Sequence, residues 1–149
     1  MENIKKDVWL AIHATQHFEG CEEEQIDLMT RARLYSRNGK FYIAYDESEL
    51  TGLEGTRTTV KMDGSAVTMI RTGTYPSEML FLENQRHVGL YQTGFGAAMT
   101  ISTHTSRIYN TIGPEGGTLS LDYTIEVDNN LAGAHHFEML VSLEPLADV

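Results

Sequence analysis

The sequence predicts an all-β protein, an antiparallel up-and-down barrel of about eight to ten strands. Three observations carry that expectation. Apolar residues recur with period two, as where Leu119, Leu121, Tyr123, Ile125 and Val127 alternate with Ser120, Asp122, Thr124 and Glu126. Turn signals such as Asn38-Gly39 and Asp63-Gly64 interrupt the pattern at short intervals. Loops this short join neighbouring antiparallel strands, and many such strands in one sheet curl until their edges meet. A β-sandwich is the second arrangement compatible with the same pattern.

Residues 8–15 open the fold, with Val8, Leu10, Ile12 and Ala14 alternating against Trp9, Ala11, His13 and Thr15. Residues 27–36 form the next strand after an acidic turn. Asn38-Gly39 supplies the two positive-φ positions of a tight hairpin, which sets Leu34 opposite Ile43 and Ala32 opposite Tyr45. Arg31, Arg33, Tyr35, Tyr42 and Asp46 then share the solvated face. Residues 56–62 and 65–72 flank Asp63-Gly64 as a second hairpin, pairing Val60 with Val67, Thr58 with Met69 and Thr56 with Arg71. That register puts Arg71 on the apolar side and gathers Arg57, Thr59 and Lys61 on the wetter one.

Residues 78–82 form a short strand entered through Tyr75-Pro76, and residues 87–93 form another, ended by a bend at Gly94-Phe95-Gly96. Residues 98–111 follow with Met99, Ile101, Thr103 and Thr105 on one face. The run Gly113-Pro114-Glu115-Gly116-Gly117 is a loop by composition. After the clean alternation from Leu119, Asp128-Asn129-Asn130 turns the chain into a last strand near residues 136–143. Short helical turns are expected only at residues 50–54 and 22–25.

Composition fits this architecture and limits function. The chain has 149 residues, 41% hydrophobic and 21% charged, so residues 1–149 are expected to form one domain with its own core. Eleven Lys+Arg against 21 Asp+Glu give a net charge of −10, which argues against nucleic acid or an anionic membrane as partner. No apolar run reaches the roughly 20 residues of a membrane helix. A single cysteine, Cys21, cannot form an internal disulfide and points to the cytoplasm. Cys21 lies among Glu19, Glu22, Glu23 and Glu24, which disfavour a thiolate, so a nucleophilic role is not expected.

Enzyme signatures are absent: no phosphate-binding glycine loop, no nucleophile elbow and no His-Glu-x-x-His. His13 and His17 lie about 13 Å apart on a strand at about 3.3 Å per residue, and adjacent His135 and His136 point to opposite faces. No metal, no cofactor and no catalysis are therefore expected. Glu47, Glu49 and Glu54 are read as exposed loop carboxylates. Arg71 stands out, because an unpaired charge on an inner face costs several kcal/mol. It serves either as the anchor of an anionic ligand, through its planar fork, or structurally, as an ion pair or an arginine bonded to backbone carbonyls that closes the barrel end. Tyr45, Thr58, Thr103 and Tyr123 share the inner faces near it, as do Thr56 and Thr105. Met62, Met69 and Met99 either line a pocket or fill an irregular core.

Several blocks together resemble one family. Residues 45–52 (YDESELTG) and 55–62 (GTRTTVKM) are similar to the YwiB-like family of small bacterial proteins of unknown function. The likeness continues through Arg71-Thr72-Gly73, Met79-Leu80-Phe81, residues 91–96 (YQTGFG) and residues 119–124 (LSLDYT), and so spans nearly the whole chain. One departure is Gly94, where the family pattern has Pro after Thr93. The resemblance implies a lipocalin-like, or calycin, barrel and carries over no catalytic residues. The expectation is a cytoplasmic, non-enzymatic barrel holding a small apolar or amphipathic ligand inside. Arg71 would anchor its polar head, with Tyr45, Thr58, Thr103 and Tyr123 around it. The alternative is a fully packed barrel acting as an interaction or assembly module through the basic stripe Arg31, Arg33, Arg57 and Lys61. Oligomeric state is left open by the sequence.

Overall fold

The computed structural model describes residues 3–18, 20–92, 98–128 and 130–146. The strands are β1 (Lys5–Phe18), β2 (Glu24–Arg37), β3 (Lys40–Asp46), β4 (Thr56–Asp63), β5 (Ala66–Gly73), β6 (Ser77–Leu82), β7 (Gln85–Gln92), β8 (Ala98–Asn110), β9 (Gly116–Val127) and β10 (Asn130–Ser142). All ten belong to one antiparallel sheet in the order β6-β5-β4-β3-β2-β1-β10-β9-β8-β7. Every neighbouring pair is consecutive in the chain except β1 and β10, which pair directly. The sheet therefore curls round as an up-and-down barrel, with β6 and β7 as the two strands at its seam.

The seam is held by fewer bonds than the ladders. Asn84 N donates to Thr105 O at 2.7 Å. The β7–β8 ladder ends at the pair Gln85↔Thr105, and beyond it the Glu83 carboxylate accepts from Ile108 N at 2.8 Å. A side chain thus takes the place of the missing strand. Across the interior, the Phe81 ring of β6 meets Tyr123 of β9 at 4.7 Å between centroids.

Inward side chains follow the period-two alternation. Val8, Leu10, Leu34, Ile43, Val60, Val67, Phe81, Leu119, Leu121 and Met139 are fully buried and form a continuous core. Their burial, worth about 1.5–3 kcal/mol for each large side chain, is the main stabilising contribution. The first hairpin forms as the sequence predicts: Asn38 (φ 54°) and Gly39 (φ 78°) make the turn, and Leu34 lies opposite Ile43. The paired residues stop at Arg33↔Ala44, one step short of Ala32 and Tyr45.

The second hairpin differs from the sequence expectation. Its loop is Gly64-Ser65, not Asp63-Gly64: Asp63 pairs with Ala66, Val60 with Met69, Thr58 with Arg71 and Thr56 with Gly73. Only Gly64 adopts positive φ (61°), the pattern of a turn with glycine first, whereas the other turn would need Asp63 in that region too. The pairing moves by two residues, so every side chain keeps its face and Arg71 stays inward. Other departures are small. Residues 22–25 form no helical turn, because Glu24 and Gln25 begin β2, and the 3-10 turn is Glu49–Thr51. The strand near residues 136–143 begins earlier, at Asn130, because Gly133 and Ala134 already pair with β9 and β1. The bend at Gly94-Phe95-Gly96, the Gly94 departure and the Met99 side chain lie outside the described residues.

Phe81→Ala is predicted to cost about 3–5 kcal/mol in a urea unfolding series, because it opens a void at the seam. Val88→Thr on the exposed side of β7 should stay within about 0.5 kcal/mol of the parent in the same series.

Candidate functional site

The apolar core fills one part of the barrel, and towards one end the inner rows turn polar. Tyr45, Glu47, Thr51, Arg71, Tyr123 and His135 line a cavity of about 120 Å3 there, with Ile12, Leu28, Met69 and Phe137 on its apolar side. Its location follows from strand parity. Arg71 on β5 lies directly opposite Thr58 on β4, and Tyr123 on β9 lies opposite His135 on β10. Beside Arg71 the chain can approach closely only without a side chain: at Gly73 (φ 105°) a Cβ would lie 2.3 Å from Gly55 O.

Glu47 overturns its sequence reading as an exposed loop residue, being only 8% exposed. Its amide donates to Thr56 O at 2.9 Å, which continues the β3–β4 ladder one step past β3. It therefore faces inward with Ile43 and Tyr45. The chain leaves the ladder only at Ser48, whose side chain accepts from Leu50 N at 3.3 Å to start the 3-10 turn. The sequence carries the signal as the alternation Ile43, Tyr45, Glu47, which a carboxylate at the edge of a loop masks.

One wall of the cavity is aromatic. The Tyr123 and His135 rings stack 5.0 Å apart at 6°. Phe18 meets the other ring edge-on at 5.6 Å from His135, and Phe81 continues the row beyond Tyr123. His136, the next residue, also borders the cavity, but its Nδ1 is held 2.6 Å from Asp122 Oδ1. Alternation along β10 thus gives the adjacent histidines different partners, a ring stack for His135 and a carboxylate for His136.

Among the described residues, four buried side-chain atoms have no well-formed hydrogen bond: Thr58 Oγ1, Arg71 Nε, Thr105 Oγ1 and His135 Nε2. Two of them, Arg71 Nε and His135 Nε2, belong to residues lining the cavity. Such groups cost about 1–3 kcal/mol each when left unpaired. Burial pushes the Glu47 carboxyl above the usual carboxylate range, against the pull of the Arg71 charge and of Tyr45, Thr58 and Thr51. Burial, with the Glu47 charge beside it, also raises the Tyr45 phenol, so it stays protonated. Burial lowers His135, which favours the neutral ring.

The residues singled out from sequence are partly brought together. Arg71, Tyr45 and Tyr123 line the cavity. Thr58 is fully buried behind them, close enough to Tyr45 and Glu47 to favour their ionised forms. Thr103 is buried on β8 but is not part of the cavity lining. Glu47 and His135 were not anticipated as site residues. Met69 lines the cavity, whereas Met62 fills the core. The basic stripe lies outside and is partly occupied: Arg33 is 3.7 Å from Asp7, Arg57 is 4.0 Å from Asp46, and Arg31 lies over the Trp9 ring at 4.9 Å. Among the described residues no three His, Cys, Asp or Glu gather closely enough to hold a metal ion.

A family model described as "Domain of unknown function (DUF1934)" matches residues 11–139. The fold is similar to that of the YwiB protein from Bacillus subtilis, with a TM-score of 0.82 and 21% identity over 95% of this chain and 94% of that one. No curated protein matches the chain.

Two titrations test the site. The folded-state carboxyl of Glu47 is raised, so wild type is favoured below the ordinary value of 4.5 and loses that advantage as pH rises through the folded value. Glu47→Gln should therefore gain stability relative to wild type as pH rises, measured by urea unfolding at pH 4 and pH 8. His135 has the opposite sign: its folded value is lowered below 6.5, so the wild type loses stability as pH falls from there. His135→Phe, which keeps a ring against Tyr123, should fall behind less steeply between pH 7.5 and pH 5.

Proposed function

The chain belongs to the family of the Domain of unknown function (DUF1934), and on that premise we propose that it is a non-catalytic barrel that binds a small amphipathic molecule at its polar end. The observation that carries this reading is the buried Arg71 Nε, which has no hydrogen-bond partner although it belongs to a residue lining a cavity. An arginine serving only to close a barrel end would satisfy that donor with a carbonyl or carboxylate. The nearby Tyr123 and His135 rings, both lining the cavity, offer aromatic edges for the rest of the ligand. The likeness to the YwiB fold supports the architecture alone.

Size limits the ligand class. Drug-sized pockets occupy roughly 300–1,000 Å3, whereas this cavity measures about 120 Å3. The occupant is a small metabolite, not a long lipid chain. The same reading puts the protein in the cytoplasm, on the strength of its one cysteine, Cys21.

Native and denaturing mass spectrometry of protein purified gently from cells compares bound with covalent mass. A small extra mass is expected under native conditions only, and Arg71→Met should lose most of it. Native protein without extra mass, combined with no thermal shift across a set of small metabolites, would contradict ligand binding.

A further inference from the structure

We infer that the polar end of the barrel is a site for a small planar carboxylic acid, which seats its carboxylate on Arg71 and its ring on the Tyr123–His135 wall and competes with Glu47 for the guanidinium. This rests on the ligand-binding reading above and adds the chemical class of the ligand and its coupling to protons.

Three features of the cavity lead to it. Arg71 offers a buried, unused Nε donor, and a guanidinium edge matches a carboxylate better than any neutral acceptor does. Beside it, the Tyr123 and His135 rings stack at 5.0 Å and 6°, and the Phe18 ring meets His135 edge-on at 5.6 Å. Both stacked residues line the cavity, so a flat ligand ring meets the edges of this row in the edge-to-face arrangement that aromatic pairs favour. The volume of about 120 Å3 leaves room for little beyond a single ring.

Glu47 makes the site selective for conditions as well as for charge. It lines the same cavity and acts on Arg71, so in the empty barrel its carboxylate is the counter-charge of the guanidinium. A bound carboxylate takes over that role, and two carboxylates beside one arginine repel each other. Glu47 then takes up one proton from solvent and becomes a donor. Its burial already favours the protonated form. The other groups facing it and lining the cavity do not offset this: Tyr45 stays protonated, Thr58 and Thr51 are neutral, burial favours uncharged His135, and His136 is held against its own carboxylate partner, Asp122. Binding is thereby linked to uptake of a proton and weakens as pH rises.

Isothermal titration calorimetry with sodium benzoate as the probe, and neutral benzamide as its isostere, tests the inference on the whole protein. Benzoate should bind one to one and at least about tenfold more tightly than benzamide. Its affinity should fall with rising pH, approaching about tenfold per pH unit where Glu47 would otherwise be ionised. Titrations in two buffers of different ionisation enthalpy should show proton uptake. Glu47→Gln should tighten benzoate binding at pH 8 and flatten the pH profile, and Arg71→Met should weaken it at least about tenfold. If Arg71→Met does not fold, the benzoate–benzamide comparison and Glu47→Gln decide the matter. No benzoate binding, equal binding of benzamide, or a pH profile unchanged in Glu47→Gln would overturn the inference. A neutral molecule found bound in native mass spectra would overturn it too, while leaving the ligand-binding reading intact.

Discussion

Pairing of the first strand with the last is the constraint on which the interior depends. The β1–β10 ladder runs through ten residue pairs, from Trp9↔Ser142 to Phe18↔Gly133. Without it the meander would divide into a six-stranded sheet, β6 to β1, and a four-stranded sheet, β10 to β7. With it, the inward rows of β1 and β10 face those of β3, β5 and β6, so Leu10, Ile43, Val67 and Phe81 join one core. The same ladder brings His135 beside Gln16, and both line the cavity that Arg71 reaches from β5.

Closing the barrel leaves an interior that is packed with apolar side chains except at one end. There the protein retains Thr58, Arg71, Thr105 and His135 with buried atoms lacking good partners, although apolar residues of similar size would be stable in most barrel interiors. Stability alone gives no reason for that arrangement. A ligand that supplies an acceptor to Arg71 does give one, since its binding energy offsets the desolvation of the guanidinium. The pull of burial on Glu47 then has a consequence: the counter-charge to Arg71 is held against its own desolvation, so an arriving anion can replace it as the carboxyl takes up a proton.

Much of this was legible in the sequence because strand parity is robust. Alternation places Ile43, Val60, Leu119 and Leu121 inside, and Arg71 with them, whereas in β1, apolar on both alternations, it is the structure that turns Val8 and Leu10 inward. The loop lies one residue beyond the expected Asp63-Gly64, yet the pairing differs by two and leaves the faces unchanged. Glu47 was missed for a chemical reason. A carboxylate after an apolar strand reads as solvent-facing, and only its amide bond to Thr56 O reveals that the ladder continues past Asp46. His135 was seen as half of an adjacent pair, but which of the two faces inward depends on the register of β10 against β9, and a bulge between Leu131 and Gly133 sets that register. Thr103 shares the inner face, but it lies on the strand next to the seam and outside the cavity lining.

A crystal structure of the protein as purified from cells, without added ligand, addresses the central claim most directly. Discrete non-protein density within hydrogen-bond distance of Arg71 Nε and in contact with the edges of the Tyr123 and His135 rings is the predicted result. An Arg71 side chain bonded fully to Glu47 or to backbone carbonyls, with the neighbouring side chains closed over the space, would contradict it.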